Sequence, residues 1–364
     1  MEPRSLHASL TPFDKVTATE LDHWRALRET DSNYQSPFFA VEFAQAVHHS
    51  RLDVDVAIVR RRHDPIAFLP LHRKGKHAYP VGRFLNDAHQ LIKAPDENLG
   101  LTWLVTKLGL TAFHFHALIG EPLDRLPAWT CQQQVRSFRC DIGDQPDEYL
   151  ASLCSRHNTV RRQSQKTRKL AREVGPVTFE FDCRCHDNLR QAINLKREQY
   201  QRTHTLDLFA TPWTVKLIES LFHRPTDSRG PRGILSTLFA GDQMVAAHFG
   251  LWEADRLHYW FPAYDPAFSK YSPGTALFVS ILQQAGQHRV RCIDMGYGEQ
   301  PYKRKQTDST GVVSQGCVSP SLAYRVLNCG RNRAIQASKS LPMRQPLKRI
   351  GRTIWPSAGH SKLQ

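Results

Sequence analysis

The chain has 364 residues, 40% of them hydrophobic and 10% aromatic, which excludes a disordered polypeptide and gives length enough for two domains. No run approaches the ~18 consecutive apolar residues of a membrane helix, and "MEPRSLHASLTPFDKV" lacks the apolar segment of a secretory signal, so a cytoplasmic protein is expected. The net charge of +15 is gathered in residues 156–172 and in the stretch after Ser309, both free of acid, which argues against a domain that spreads basic residues over a nucleic-acid-binding face.

Helical segments are expected at 17–29 ("TATELDHWRALRE") and 36–49 ("SPFFAVEFAQAVHH"). "VDVAIVRRR" and "PIAFLPLHR" flank "RHDP" as a hairpin. More sheet and one helix, "NLGLTWLVTKLG", complete an α+β first half that ends near "CDIGDQPDEYLAS". The basic run 156–172 reads as a helix stopped at Gly175-Pro176. Its poor apolar stripe suits a solvated charged face, or a rim that collects anionic phosphates.

The second half reads β-α-α-β-β-β-α-β-α-β, from "PVTFEFDC" to "GVVSQGCV". A meander followed by one β-α-β crossover makes a mixed sheet with helices on both faces. A comparable hairpin and helices in the first half suggest a distant duplication. The Pro-interrupted basic tail is expected to be solvated, with contact to an anionic membrane surface as the alternative.

Eight scattered cysteines suit reduced thiols better than a disulfide framework. The tight cluster "CRCH" (Cys183 to His186) lacks the second half of a zinc site, so no metal is expected.

At "YSPGTALF" Ser272 is placed to cap a helix with its hydroxyl, and Pro273 suits the first helical position. Gly274 removes bulk from a helix N-terminus, where free N–H groups can receive an anion.

The segment 245–306 carries a small-residue strand with His248 and Gly250, the aromatic strand "LHYWFPAYD", the loop "YSPG", the strand end "DMGYG", and "YKR". In these features it resembles the GNAT-type acetyltransferase domain of the CelD/BcsL cellulose-biosynthesis group and, more distantly, FemAB-like aminoacyltransferases. The likeness covers about 150–320 and the first half more loosely. It implies a mixed α/β (α+β) GNAT acyl-CoA N-acyltransferase fold, with two tandem GNAT-like halves. Residues 1–150 form a degenerate half, 151–320 the acetyltransferase domain, and 321–364 a basic tail.

The resemblance implies acetyl-CoA or another acyl-CoA in a cleft where two strands splay. Backbone groups around Tyr259, Trp260 and Phe261 hold the pantetheine and polarise the thioester. Its pyrophosphate lies on Ser272, Pro273, Gly274 and Thr275, aided by the helix dipole. An amine or hydroxyl acceptor then attacks directly. His248 is the first candidate for the base, between small residues that leave room beside an imidazole titrating near neutrality; a hydrogen-bonded core histidine is the alternative. Glu299 is the second, against an exposed acid at a helix start. Tyr264 can act as acid or substrate contact. Tyr302 and Lys303 reach acceptor or CoA phosphates, or are a packed tyrosine and a solvated lysine.

The leading function is therefore an acyl-CoA-dependent acyltransferase with a small-molecule or saccharide acceptor, serving exopolysaccharide or cell-envelope synthesis as that likeness implies. The alternatives are an aminoacyltransferase that holds aminoacyl-tRNA on the basic helix, and a non-catalytic GNAT-fold scaffold.

Overall fold

A computed structural model describes residues 6–120, 131–328 and 330. The tail beyond them, and with it the choice between a solvated tail and membrane contact, lies outside the described residues. The first half runs β1 (Leu6–Pro12), α1 (Ala18–Glu29), α2 (Val41–Arg51), β2 (Val54–Arg61), β3 (Asp64–Lys74), β4 (His77–Pro80), β5 (Ile92–Lys93), α3 (Leu101–Lys107), β6 (Ala112–Leu118) and β7 (Cys131–Asp141). Three helices follow: α4 (Pro146–Arg156), α5 (Asn158–Arg161) and α6 (Gln163–Glu173). The second half runs β8 (Val177–Glu180), α7 (His186–Arg202), α8 (Pro212–Phe222), β9 (Arg232–Ala240), β10 (Gln243–Glu253), β11 (Arg256–Tyr264), α9 (Pro273–Ala285), β12 (Cys292–Tyr297), α10 (Pro301–Gln306) and β13 (Ser309–Val318). Its order is the one expected. The short β5 apart, the first half repeats it as far as the strand that follows the crossover helix.

Two local expectations change. Ala40 is extended, so the segment expected as one helix over 36–49 is a 3-10 turn followed by α2. The basic run is likewise interrupted, at Arg162, between α5 and α6.

The chain forms two compact units that do not divide at residue 150. The first comprises Met1–Tyr34, Arg51–Gln134 and Val313–Gln364, and the second Gln35–Ser50 and Val135–Val312. Most of α2 and β7 thus belong to the second unit, and the end of β13 to the first.

In the first unit the strand order is β1-β2-β3-β4-β6-β13, with β4 and β6 parallel. A capping box starts α1: the Thr17 hydroxyl accepts from Glu20 N, and the Glu20 carboxylate accepts from Thr17 N. The helix then buries Trp24 against Phe68 of β3, with ring centroids 5.8 Å apart. Leu69, Leu71, Leu101, Leu104 and Phe113 form the core of this unit.

In the second unit the order is β7-β12-β11-β10-β9-β8, with β11 and β12 the parallel pair. Leu277, Phe278, Ile281 and Leu282 make one apolar face of α9. They pack with Ile234, Val245, Tyr259 and Ile293. Each such burial contributes roughly 1.5–3 kcal/mol, so α9 is firmly seated beneath the strands that carry the site.

Candidate active site

Strands β11 and β12 pair only from Arg256–Cys292 to His258–Asp294. Both continue, to Tyr264 and Tyr297, with no further ladder between them. A bulge explains the parting. Against β10, Phe249 opposes Phe261 and Leu251 opposes His258, so Tyr259 and Trp260 together face Gly250. A bulged strand bends and twists more strongly than its partner. Aromatic packing fixes the bend: Tyr259 meets Phe278 edge-on at 5.8 Å, Trp260 meets Phe38 at 5.6 Å, and Phe261 meets Phe209 at 5.1 Å.

His248 lies beneath this bulge. Its imidazole stacks on Tyr259, centroids 4.0 Å apart, and is fully buried. Gly250 makes the space: a Cβ there would come within 2.5 Å of His248 Cε1 and 2.6 Å of the His258 carbonyl oxygen. The room read from the small residues is thus filled by the histidine's own ring. Burial pushes its pKa well below the ordinary histidine value, and His258 and Lys196 push the same way. Neither ring nitrogen makes a well-formed hydrogen bond among the described residues, and the His258 backbone only partly offsets the burial. The imidazole is therefore neutral at ordinary pH, with a nitrogen lone pair to offer a hydrogen-bond donor, while burial opposes the imidazolium that a full proton transfer would form.

The N-terminus of α9 differs from its expected form. Ser272 adopts the left-handed conformation (φ 55°) and makes no side-chain cap. Its hydroxyl instead accepts from Lys166 Nζ at 2.8 Å, while Gln163 Nε2 donates to the Tyr271 carbonyl at 3.1 Å. The basic helix α6 is thereby fixed to the start of α9. The Thr275 and Ala276 N–H groups donate to the Ser272 carbonyl at 2.9 and 3.1 Å, and the Ser272 N–H to Ser269. Pro273 has no N–H. Within this turn Gly274 keeps an N–H without a backbone partner among the described residues, and Tyr264 Cδ1, 3.6 Å from a Cβ built on it, is its nearest neighbour.

The remaining candidates separate. Glu299 is held by Arg304 and Arg136, and the hydrogen bond from Arg304 keeps its carboxyl below the usual range, which makes it a weak base. Tyr302 packs against the core of the second unit. Burial raises the Tyr259 phenol well above its ordinary pKa, with Tyr302 adding to the shift. Lys303 is buried rather than solvated or directed at CoA phosphates, and its Nζ donates to the Tyr297 carbonyl at 2.7 Å.

The first unit treats the equivalent gap differently. Strands β4 and β6 pair only at His77–Ala112 and Ala78–Phe113, and the chain itself occupies the edge beyond. His89 N donates to the Ala117 carbonyl at 3.1 Å and Ile119 N to the His89 carbonyl at 3.2 Å. His89 Nε2 also accepts from the His116 and Ala117 amides.

A parallel pair that parts at a bulge, next to a helix N-terminus, appears within a β-α-α-β-β-β-α-β order. Residues 155–304 match the profile of the acetyltransferase (GNAT) domain family. The fold is the GNAT fold. Among solved structures the chain is similar to FemX, at 12% identity over 88% of this chain and 99% of that chain, with a TM-score of 0.56. It is also similar to the C-terminal domain of a "Putative Lysylphosphatidylglycerol Synthetase" from Agrobacterium fabrum, at 13% identity, with 85% and 94% covered and a TM-score of 0.50. At such identities the likeness is one of fold. No curated protein matches the sequence.

In GNAT terms β11 and β12 are the splayed strands and α9 the helix beside them. Among the described residues no group of three or more His, Cys, Asp or Glu side chains is arranged to hold a metal, and no helix is long and apolar enough to cross a membrane. Sequence reasoning missed Lys196 of α7, whose Nζ donates to the Pro262 carbonyl at 2.8 Å. The signal was present: Leu189, Ala192 and Lys196 share the buried face of α7, so a lysine occupies a position of the inward stripe.

Proposed function

We propose that the second unit transfers an acyl group from acyl-CoA to an amine or hydroxyl acceptor. The observation that carries this reading is the parting of β11 from β12 beside the start of α9. Residues 259–264, unpaired with β12 and with only the Pro262 carbonyl taken by Lys196, offer backbone groups to a pantetheine amide and to a thioester carbonyl. The Gly274 N–H and the Lys166 ammonium, with the positive end of the helix dipole, suit the pyrophosphate. Fewer amides are free there than the turn contains, and Lys166 supplies the charge that they do not.

His248 takes the acceptor's proton, through a water, as a neutral buried imidazole. Tyr302 returns a proton to the leaving thiolate from α10. Tyr264 borders the donor beside Gly274. An acceptor from exopolysaccharide, cellulose or envelope synthesis, handled in the cytoplasm, accords with the likeness to the CelD/BcsL group.

Thermal melting with acetyl-CoA tests the reading. A ligand at about 100 times its dissociation constant adds about 2.7 kcal/mol of stability, and thioester release against a panel of amines and alcohols reports transfer. No shift with any acyl-CoA removes the proposal, and a shift with aminoacyl-tRNA alone replaces it with aminoacyl transfer. Binding without turnover on any acceptor class favours the scaffold.

A further inference from the structure

Lys196 is nine-tenths buried on the inner face of α7. Two of its three N–H groups are used, by the Pro262 carbonyl at 2.8 Å and Gln199 Oε1 at 3.3 Å. Both acceptors are neutral, and no carboxylate among the described residues forms an ion pair with it or moves its titration. The charge that does act on it is another ammonium, Lys303, whose Nζ bonds the Tyr297 carbonyl. Pro262 and Tyr297 belong to β11 and β12 beyond the point where their pairing ends. Two buried amines therefore reach carbonyls on either side of the parted strands, beside His248, whose own titration Lys196 disturbs.

A buried ammonium is costly without a countercharge. A carbonyl satisfies its hydrogen bonds but does not neutralise it. Satisfying the Pro262 carbonyl alone would need only a neutral donor. We propose that the acceptor carries an anionic group, a carboxylate or a phosphate, and that Lys196 receives it at the parted ends of β11 and β12. The proposal rests on the acyl-transfer reading and narrows its substrate class.

The test uses the full chain, with Lys196→Met and Lys196→Arg. Calorimetric titration with inorganic phosphate and with acetate, at saturating acetyl-CoA, reads the anion directly. Wild type should bind at least one of them, Lys196→Met at least tenfold more weakly, and Lys196→Arg within about threefold of wild type. Acetyl-CoA affinity should stay within twofold throughout. Thioester release with glycine against glycinamide, and with glucosamine 6-phosphate against glucosamine, separates carboxylate from phosphate; at least one anionic member should be preferred tenfold or more.

Equal anion binding by wild type and Lys196→Met, or no binding to wild type, overturns the proposal. A preference for both neutral acceptors does the same. If acetyl-CoA fails to bind while the phosphate difference persists in the free protein, the anion site stands and the acyl-CoA reading falls. A Lys196→Met chain that fails to fold assigns the lysine to structure only if Lys196→Arg also loses the anion.

Discussion

Lys196 Nζ lies 2.8 Å from the carbonyl oxygen of Pro262, in a β-strand that has lost its parallel neighbour. Proline brings no N–H to that strand, so the carbonyl is the one backbone group it offers there. Burial, with Lys303 nearby, pushes the Lys196 pKa down to about 8.

That depression fixes the sign of a pH effect. Between about pH 8 and the ordinary lysine value the unfolded chain binds more protons than the folded one, so stability rises with pH across this window. Below it both states are charged and the full burial cost, about 3 kcal/mol, is present. Lys196→Met should remove the slope and leave the protein as stable as wild type or more so near neutrality. Urea melts from pH 7 to 10 check this, and an unchanged slope would place the titration elsewhere.

His248 titrates with the same sign, in a window on the acid side of neutrality. Its folded pKa lies well below the ordinary value, so as pH falls below about 6.5 the unfolded chain alone takes up the proton and stability declines. The acidic limb of turnover should likewise lie below the ordinary histidine range. His248→Ala should lower kcat by at least 10²-fold while acetyl-CoA affinity changes little. Glu299→Gln should keep most activity, because that carboxylate is already engaged by Arg304 and Arg136. Turnover retained in the first variant and lost in the second would reverse the assignment.

Gly250→Ala probes the same place from the backbone. The added methyl would sit 2.5 Å from His248 Cε1 and 2.6 Å from a strand carbonyl, so something must move. A loss of about 1–3 kcal/mol is expected from overpacking, with a larger fall in kcat than in donor binding. Urea melts and steady-state kinetics read the two effects separately. A stable variant with normal kcat would show that the ring is not held where transfer occurs.

Gly274→Val is the complementary case. A Cβ at this position finds only ordinary contact, 3.6 Å from Tyr264 Cδ1, so the fold should persist within about 1 kcal/mol. Acetyl-CoA affinity should fall at least tenfold as the side chain crowds the one open amide of the turn. Lys166→Ala should weaken the donor and flatten the salt dependence of its binding. Unchanged affinity in both variants would reduce the junction to a helix start.

The element order was legible because it rests on local rules. Period, caps and breakers sit within a few residues, as Thr17 and Glu20 do in α1. The site was less legible because its features arise between segments distant in sequence. Ser272 looked like a cap, yet its hydroxyl is held by Lys166, and no local pattern announces that pairing. The bulge at Tyr259–Trp260 is a property of register between two strands. Lys303 was expected to reach acceptor or CoA phosphates or to be solvated, and its burial depends on the Tyr297 carbonyl that the parted strand leaves to be met. The position of Gly274 at the start of α9 was readable, but the number of amides the turn leaves open was not.

The two halves share an element order but differ beyond their short parallel pairs, which predicts the number of donors bound. In the first unit the edge of β6 beyond Phe113 is taken by the chain itself through His89, whose N, O and Nε2 all bond to it. A pantetheine would have to displace those hydrogen bonds and a fully buried imidazole that burial keeps neutral. Each hydrogen bond contributes about 1 kcal/mol and more when its loss leaves a buried group unmet. One acetyl-CoA per chain is therefore expected by calorimetry. Gly274→Val should weaken that single isotherm at least tenfold without adding a second, whereas His89→Ala should lower stability without altering the stoichiometry. Two equivalent sites, or a site of wild-type affinity that persists in Gly274→Val, would mean that the segment about His89 yields to the ligand.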